Sequence, residues 1–226
     1  TFAPAVYAKR GLDLSGEFRF MSTRQEALVD FNFLPRDRLT DSDRGRIYVE
    51  QRYQLPSRWQ FTANATHVSD GQYYEDFAAG AENTSIPFAE RFAELSYRDL
   101  HWTLRAQAQN FQILDTALLA ADRPYTRLPR LVAAGDWTLG GKRGLAWGFD
   151  SELVNFDRNT GVTGWRFDAA PRIGLDWSGP GYFLRPQAGY RYTSYSLGNT
   201  SPDTNDSPDR QLPFVTVDSG VVLERP

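Results

Sequence analysis

Acidic residues and arginines recur at every second position along much of this chain. Asp13, Glu17 and Arg19 show the pattern, as do Glu50 and Arg52, Arg105 with Gln107, and Asp150 and Glu152. So do Arg166, Asp168, Arg172 and Asp176, and then Arg185 and Arg191. In an extended strand successive side chains point to opposite faces, so this spacing gathers the charges on one face. Groups so placed can pair across strands, hydrate a wall, or meet a polar solute. They are not spaced for bond-breaking chemistry. Only two histidines are present, His67 on the apolar parity of its strand and His101 in a short turn, and neither is placed to serve a serine nucleophile or a two-histidine metal site. There is no cysteine, which excludes a disulfide scaffold and a cysteine zinc site. Asp41–Gly45 (DSDRG) has the start of a calcium loop, but position twelve is Arg52, so an EF-hand is rejected. The acidic segment Asp203–Asp209 reads as a solvated loop. No P-loop or dinucleotide fingerprint is present, so no cofactor, metal or catalytic residue is assigned. The net charge of −3, with both signs interspersed, gives no basic footprint for nucleic acid.

The opposite parity is apolar. Leu12, Leu14, Gly16, Phe18 and Phe20 alternate with the charges of the first such run, and Trp59, Phe61, Ala63 and Ala65 with polar residues further on. The same holds for Trp102, Leu104, Ala106 and Ala108, for Trp165 through Trp177, and for Tyr182 through Tyr192. This period marks strands rather than helices. Twelve are expected, over 3–9, 12–22, 25–35, 45–54, 58–68, 90–98, 102–113, 128–139, 144–156, 163–177, 182–196 and 212–224. Four prolines fall inside these runs. Pro129, Pro171, Pro186 and Pro213 each remove a ladder donor and should mark a bulge, a strand end or a weakened seam, with a bulge the simpler expectation for Pro171 and Pro186.

Three features place the ladder in a membrane. The strands are long by the standard of soluble sheets, for which about five or six residues is usual. Connectors alternate: short near 22–24, 56–57, 98–101, 140–143 and 178–181, long at 35–45, 69–88, 114–127, 157–163 and 197–211, with 9–11 the one tight turn on the long side. Outer-membrane barrels combine short periplasmic turns with longer extracellular loops. Large aromatics (Tyr53, Trp59, Tyr97, Trp102, Trp137, Trp177, Tyr182) gather beside the short turns, as an interfacial girdle would. An all-β, antiparallel transmembrane barrel in the bacterial outer membrane follows, with the charged parity lining a hydrated lumen and the apolar parity in outer-membrane lipid. No linker divides residues 1–226, which are expected to belong to one barrel domain. Opening and closing on strands, they are expected to be an internal segment of it.

Several stretches resemble one family. Val68–Phe77 (VSDGQYYEDF) carries Val68, Ser69, Asp70, Tyr74, Asp76 and Phe77 in the pattern of the signature loop of LptD, the lipopolysaccharide-assembly outer-membrane protein. Lys9–Phe20, Phe31–Arg38, Asn110–Leu114, Pro124–Leu131 (with Tyr125 and Pro129) and a closing V-x-L-E-R at Val221–Arg225 follow in the order of that family. Arg130 stands where the family commonly has glutamine. The resemblance implies an arc of about twelve strands from a 26-stranded barrel that delivers lipopolysaccharide to the outer leaflet and encloses an LptE-like lipoprotein plug. It further implies a periplasmic lipopolysaccharide-transport bridge, reached through an N-terminal domain outside this segment, and no enzymatic activity. The rival readings are a porin-like channel and a twelve-stranded outer-membrane enzyme.

Overall fold

The computed structural model describes residues 1–77, 86–140 and 143–223. All twelve expected strands are present: β1 (Phe2–Tyr7), β2 (Gly11–Met21), β3 (Gln25–Asp37), β4 (Ser42–Gln54), β5 (Trp59–Val68), β6 (Phe88–Arg98), β7 (Trp102–Ile113), β8 (Thr126–Leu139), β9 (Arg143–Asp157), β10 (Thr163–Gly179), β11 (Tyr182–Gly198) and β12 (Asp209–Val221). They form one sheet in chain order. A five-residue helix, α1 (Tyr73–Phe77), lies in the connector after β5, and a 3₁₀ turn spans Ala120–Asp122. No described helix is long and apolar enough to cross a membrane, which leaves crossing by strands open.

Several strands run past the expected limits, whereas β1 ends at Tyr7, short of the expected residue 9. At about 3.3 Å per residue and a tilt near 40°, a 17-residue strand such as β10 or β11 rises roughly 43 Å, well beyond an apolar band about 25 Å tall. The hairpins therefore continue into water. The connector expected over 35–45 shrinks accordingly: β3 reaches Asp37 through a register shift after Leu34, and β4 starts at Ser42. Residues 78–85 of the longest loop, 141–142 of a short turn, and Glu224 to Pro226 of the closing motif lie outside the described residues.

Two compact units are distinguished. One holds 1–95, 107–128 and 157–161; the other holds 96–106, 129–156 and 162–226. In the first, cross-strand pairing runs Gly16 to Phe31, Phe31 to Ile47 and Ile47 to His67 on one face, and Glu17 to Asp30, then Asp30 to Tyr48, on the other. In the second, Trp147 faces Ile173 and Ile173 faces Ala188, whereas Glu152 faces Asp168 and Asp168 faces Thr193. Opposed residues share a face, so both units carry an apolar face and a charged face, as period two dictates. The apolar faces stay uncovered: Phe18 is 60% exposed, Ile173 54% and Val215 76%. Water would not tolerate so continuous an apolar surface, and lipid would.

The aromatic girdle is partly built as a cluster. Trp137 stacks on Trp147 with centroids 4.1 Å apart, and Trp102 meets Trp137 edge-on at 5.1 Å and Phe149 at 5.7 Å. His101 stacks on Trp137 from the short turn.

Pro171 and Pro186 make no bulge. The β10–β11 ladder pairs Ala169 with Tyr192, Arg172 with Gly189, Gly174 with Gln187 and Trp177 with Leu184, one register throughout, but skips the positions opposite both prolines. Pairing of Pro171 with Phe149 in β9 and of Pro186 with Val217 in β12 continues unbroken. Backbone groups of an antiparallel strand point alternately to its two neighbours, and each proline has its missing N–H on the shared side. The strands stay in register while their common seam loses bonds.

Candidate functional site

The charged face is an array of bridged ions. Glu152 accepts from Arg130 Nε at 2.5 Å through one oxygen and from Arg166 Nη2 at 2.7 Å through the other. Arg172 lies between Asp136 and Asp150 and bonds both. It can do so because position 148 is glycine: a Cβ there would stand 2.5 Å from Asp136 Oδ1 and 3.0 Å from Arg172 Nη2. Asp168, 8% exposed, accepts from Arg191 Nε at 2.9 Å and from Thr193 Oγ1 at 2.6 Å. Arg185 reaches Asp176 at 3.1 Å. In the other unit Arg46 pairs with Asp30 at 2.5 Å, and Gln109 and Gln107 donate to Glu90 and Glu94. Glu17–Arg19 (2.7 Å) and Glu50–Arg52 (3.6 Å) pair along single strands and are more exposed. Arg105 has no ion pair among the described residues, and its Nε is buried without a partner. The exposed pairs each contribute about 0–1 kcal/mol, so they set the polarity of the face more than its stability.

At the long-connector end of the first unit the charges close into a buried clasp. Arg44 is 2% exposed. Its Nε and Nη2 donate to the two oxygens of Asp70 at 2.9 and 2.7 Å, a bidentate fork. Its Nη1 bonds Asp76 and approaches Asp37 at 3.4 Å. Arg10 completes the group, reaching Asp37 at 2.6 Å and Asp76 at 2.7 Å. The Phe77 ring lies beneath both guanidinium groups, 4.8 Å from Arg10 Cζ and 5.0 Å from Arg44 Cζ. Two cations and three carboxylates thus hold the segment 69–77 against β3 and β4.

Packing completes the clasp. Tyr73 (4% exposed), Val68, Ala89 and Leu114 form a small core, with Tyr74, Phe77 and Ile86 against it. The Tyr73 hydroxyl donates to Asn32 Oδ1 at 2.6 Å, and Asn32 Nδ2 donates to Asp13 at 2.6 Å, which ties α1 to the charged face. Gly71 lets the loop pass Leu114, since a Cβ would stand 2.2 Å from the Leu114 carbonyl oxygen. Burial pushes the Tyr73 hydroxyl pKa up. Burial also acts to raise the Asp70 carboxyl, but the hydrogen bonds from Arg44 and Ser69 outweigh it and hold the group below its ordinary value.

The structure thus places Val68, Ser69, Asp70, Tyr74, Asp76 and Phe77 together in one folded connector. It does not bring Tyr125 or Pro129 to them: Tyr125 lies under Arg158 at 4.2 Å, and Pro129 lies within β8. Sequence reasoning missed Arg10, Asp37 and Arg44 as partners of the loop. The available signal was basic residues at strand starts on the same end as an acidic loop. Asp41–Gly45, rejected as a calcium loop, supplies the central Arg44. Among the described residues no group of three His, Cys, Asp or Glu could hold a metal ion.

Comparison with known proteins agrees with this architecture. The family model described as LptD, LPS transport system D, matches residues 42–226. LPS-assembly protein LptD of Nitrosococcus oceani is 31% identical over the whole of this chain, that of Alkalilimnicola ehrlichii 33% and that of Aromatoleum aromaticum 32%. The chain spans 31%, 30% and 28% of those proteins, respectively. A family match over most of the chain, joined to a two-faced antiparallel sheet fit for an outer-membrane barrel, means that the chain belongs to the LptD family of the bacterial outer membrane.

Proposed function

We propose that residues 1–226 form one continuous part of a barrel wall through which lipopolysaccharide is assembled into the outer leaflet. The charged face lines the lumen, with Glu17, Arg19, Glu50, Arg52, Arg105, Gln107, Asp150, Glu152, Arg166, Asp168, Arg172, Arg185 and Arg191 as the lining residues. The apolar face meets lipid. The carrying observation is the cross-strand array of ion pairs on one face, opposite a face of uncovered Phe, Val, Ile and Trp. Supporting it, the relatives bear the name LPS-assembly protein. A hydrated, doubly charged wall suits the sugar portion of the substrate and the docking of an LptE-like lipoprotein plug. Delivery to such a wall would come from a periplasmic transport bridge. The wall itself breaks no bond.

Site-specific photo-cross-linking tests this in cells. A photoreactive residue at Arg105 or Arg185 should give adducts with lipopolysaccharide or the plug while transport runs, and one at Leu104 or Ala188 should give adducts with bulk lipid. Absence of sugar-bearing or plug adducts from both inward positions would overturn the reading.

A further inference from the structure

The apolar face carries one polar group of three near its long-connector end. His67 follows Trp59, Phe61, Ala63 and Ala65 and pairs with Ile47, so it stands on the apolar face. Gln112 shares the parity of Leu104 and Ala108. Arg91 is opposite in parity to Glu90 and Glu94, which bond Gln109 and Gln107 on the charged face. The three side chains meet: Arg91 Nη2 lies 2.8 Å from His67 Nδ1 and 3.1 Å from Gln112 Oε1, while Gln112 holds both backbone groups of Val68. His67 Nδ1 lies against Arg91 Nη2 at 2.8 Å and against Gln112 Oε1 at 2.9 Å, so the three side chains form one closed cluster. Among the described residues no carboxylate pairs with Arg91, and its Nη1 has no partner. This differs from nearly every arginine of the charged face.

Beside the cluster is a cleft of about 280 Å³ whose walls include Phe31, Phe33, Ile47 and His67, with Asp43 and Arg46 also lining it. A cation on a lipid face is costly at mid-membrane and tolerated close to an interface. Here it has been placed at the interface end, next to a largely apolar trough, with no carboxylate paired to it among the described residues. We infer that Arg91 and His67 bind the phosphate of a lipid in the outer leaflet, whose acyl chain lies along Phe31 and Ile47. The site is on the outside of the wall and is separate from any path through the lumen. It rests on the apolar face meeting lipid.

The test uses the full-length protein in nanodiscs, with bound lipid counted by native mass spectrometry. Phosphatidic acid should bind the wild type in preference to phosphatidylcholine. Arg91→Gln should lower its occupancy roughly tenfold, the loss expected for one charge-assisted bond, and Arg91→Lys should retain most of it. Arg210→Gln, on the charged face opposite Thr193, should change nothing. Equal occupancy in wild type and Arg91→Gln, both with normal heat-modifiability, would overturn the inference. Loss in Arg210→Gln instead would show that the faces had been exchanged, a failure of the wall reading itself. Displacement by millimolar inorganic phosphate without loss of acyl contact would mark a free-anion site and overturn the lipid assignment. Should Arg91→Gln fail to fold, Ile47→Ser tests the acyl trough and should weaken phosphatidic acid binding without altering the cluster.

Discussion

Replacing Arg44 by methionine removes the centre of the clasp and nearly preserves its volume. Arg44 is 2% exposed and bonds Asp70 twice, Asp76 once and Asp37 weakly. Removing one member of a buried ion pair costs about 3–5 kcal/mol, because the partner charge is left without compensation. Here the compensation is uneven. Asp37 is 0% exposed but keeps Arg10, and Asp76 keeps Arg10 as well. Asp70, whose side chain is 37% exposed, loses its guanidinium but can hydrate. The lower end of the range, about 3 kcal/mol, is therefore expected, or roughly a hundredfold rise in the opening equilibrium of the loop. Hydrogen exchange resolved by peptide should show this rise over 69–77 and leave β9 to β11 unchanged. Arg44→Met with Asp70→Asn should lose less than the sum of the single changes, since both delete the same fork. Unchanged protection of 69–77 would refute the clasp. A uniform loss across all strands would show instead that Arg44 serves the fold as a whole.

Gly71→Ala drives a methyl group to 2.2 Å from the Leu114 carbonyl oxygen and should destabilise the loop by about 1–3 kcal/mol, read from faster exchange or protease cleavage confined to that loop. Acidification should release the same segment. The Asp70 pKa is lowered by folding, so its contribution is complete above the ordinary carboxylate value of about 4 and is lost as pH falls through the lower folded value; a spin label at Gln72→Cys should gain mobility there and not between pH 5 and 8. Pro186→Val returns a ladder donor and should strengthen the β10–β11 seam by about 0.5–1.5 kcal/mol, seen as slower exchange in peptides of those two strands. For sidedness, Leu104→Arg should impair insertion by about 2–4 kcal/mol if near mid-membrane, whereas Arg105→Leu should fold normally by heat-modifiability.

The family-like loop gains a physical reading from the clasp. Its two aspartates and its phenylalanine are what two guanidinium groups require: two further carboxylates and a ring to lie over. The helix they anchor has only five residues and could not persist alone, since a nucleus of one turn is costly without tertiary support. Its position over the charged face follows from Tyr73 reaching Asn32, which in turn reaches Asp13.

Local pattern was enough to set the strands and their two faces, one charged and one apolar. Period two is a local property, so Phe18 and Arg19 fall on opposite faces whatever the rest of the chain does, and the cross-strand register merely aligns what each strand had already sorted. Strand ends were less legible: the hairpin of β3 and β4 continues past Leu34 because its ladder re-forms after a shift that no local pattern marks. Tertiary structure alone decided which charges meet. Arg10 and Asp76 are sixty-six positions apart, His67 and Gln112 forty-five, and several carboxylates of equal character compete for each guanidinium. Parity says which face a charge occupies, but a partner is chosen by distance and burial. Those exist only once the strands are in register and the loop has folded back onto them.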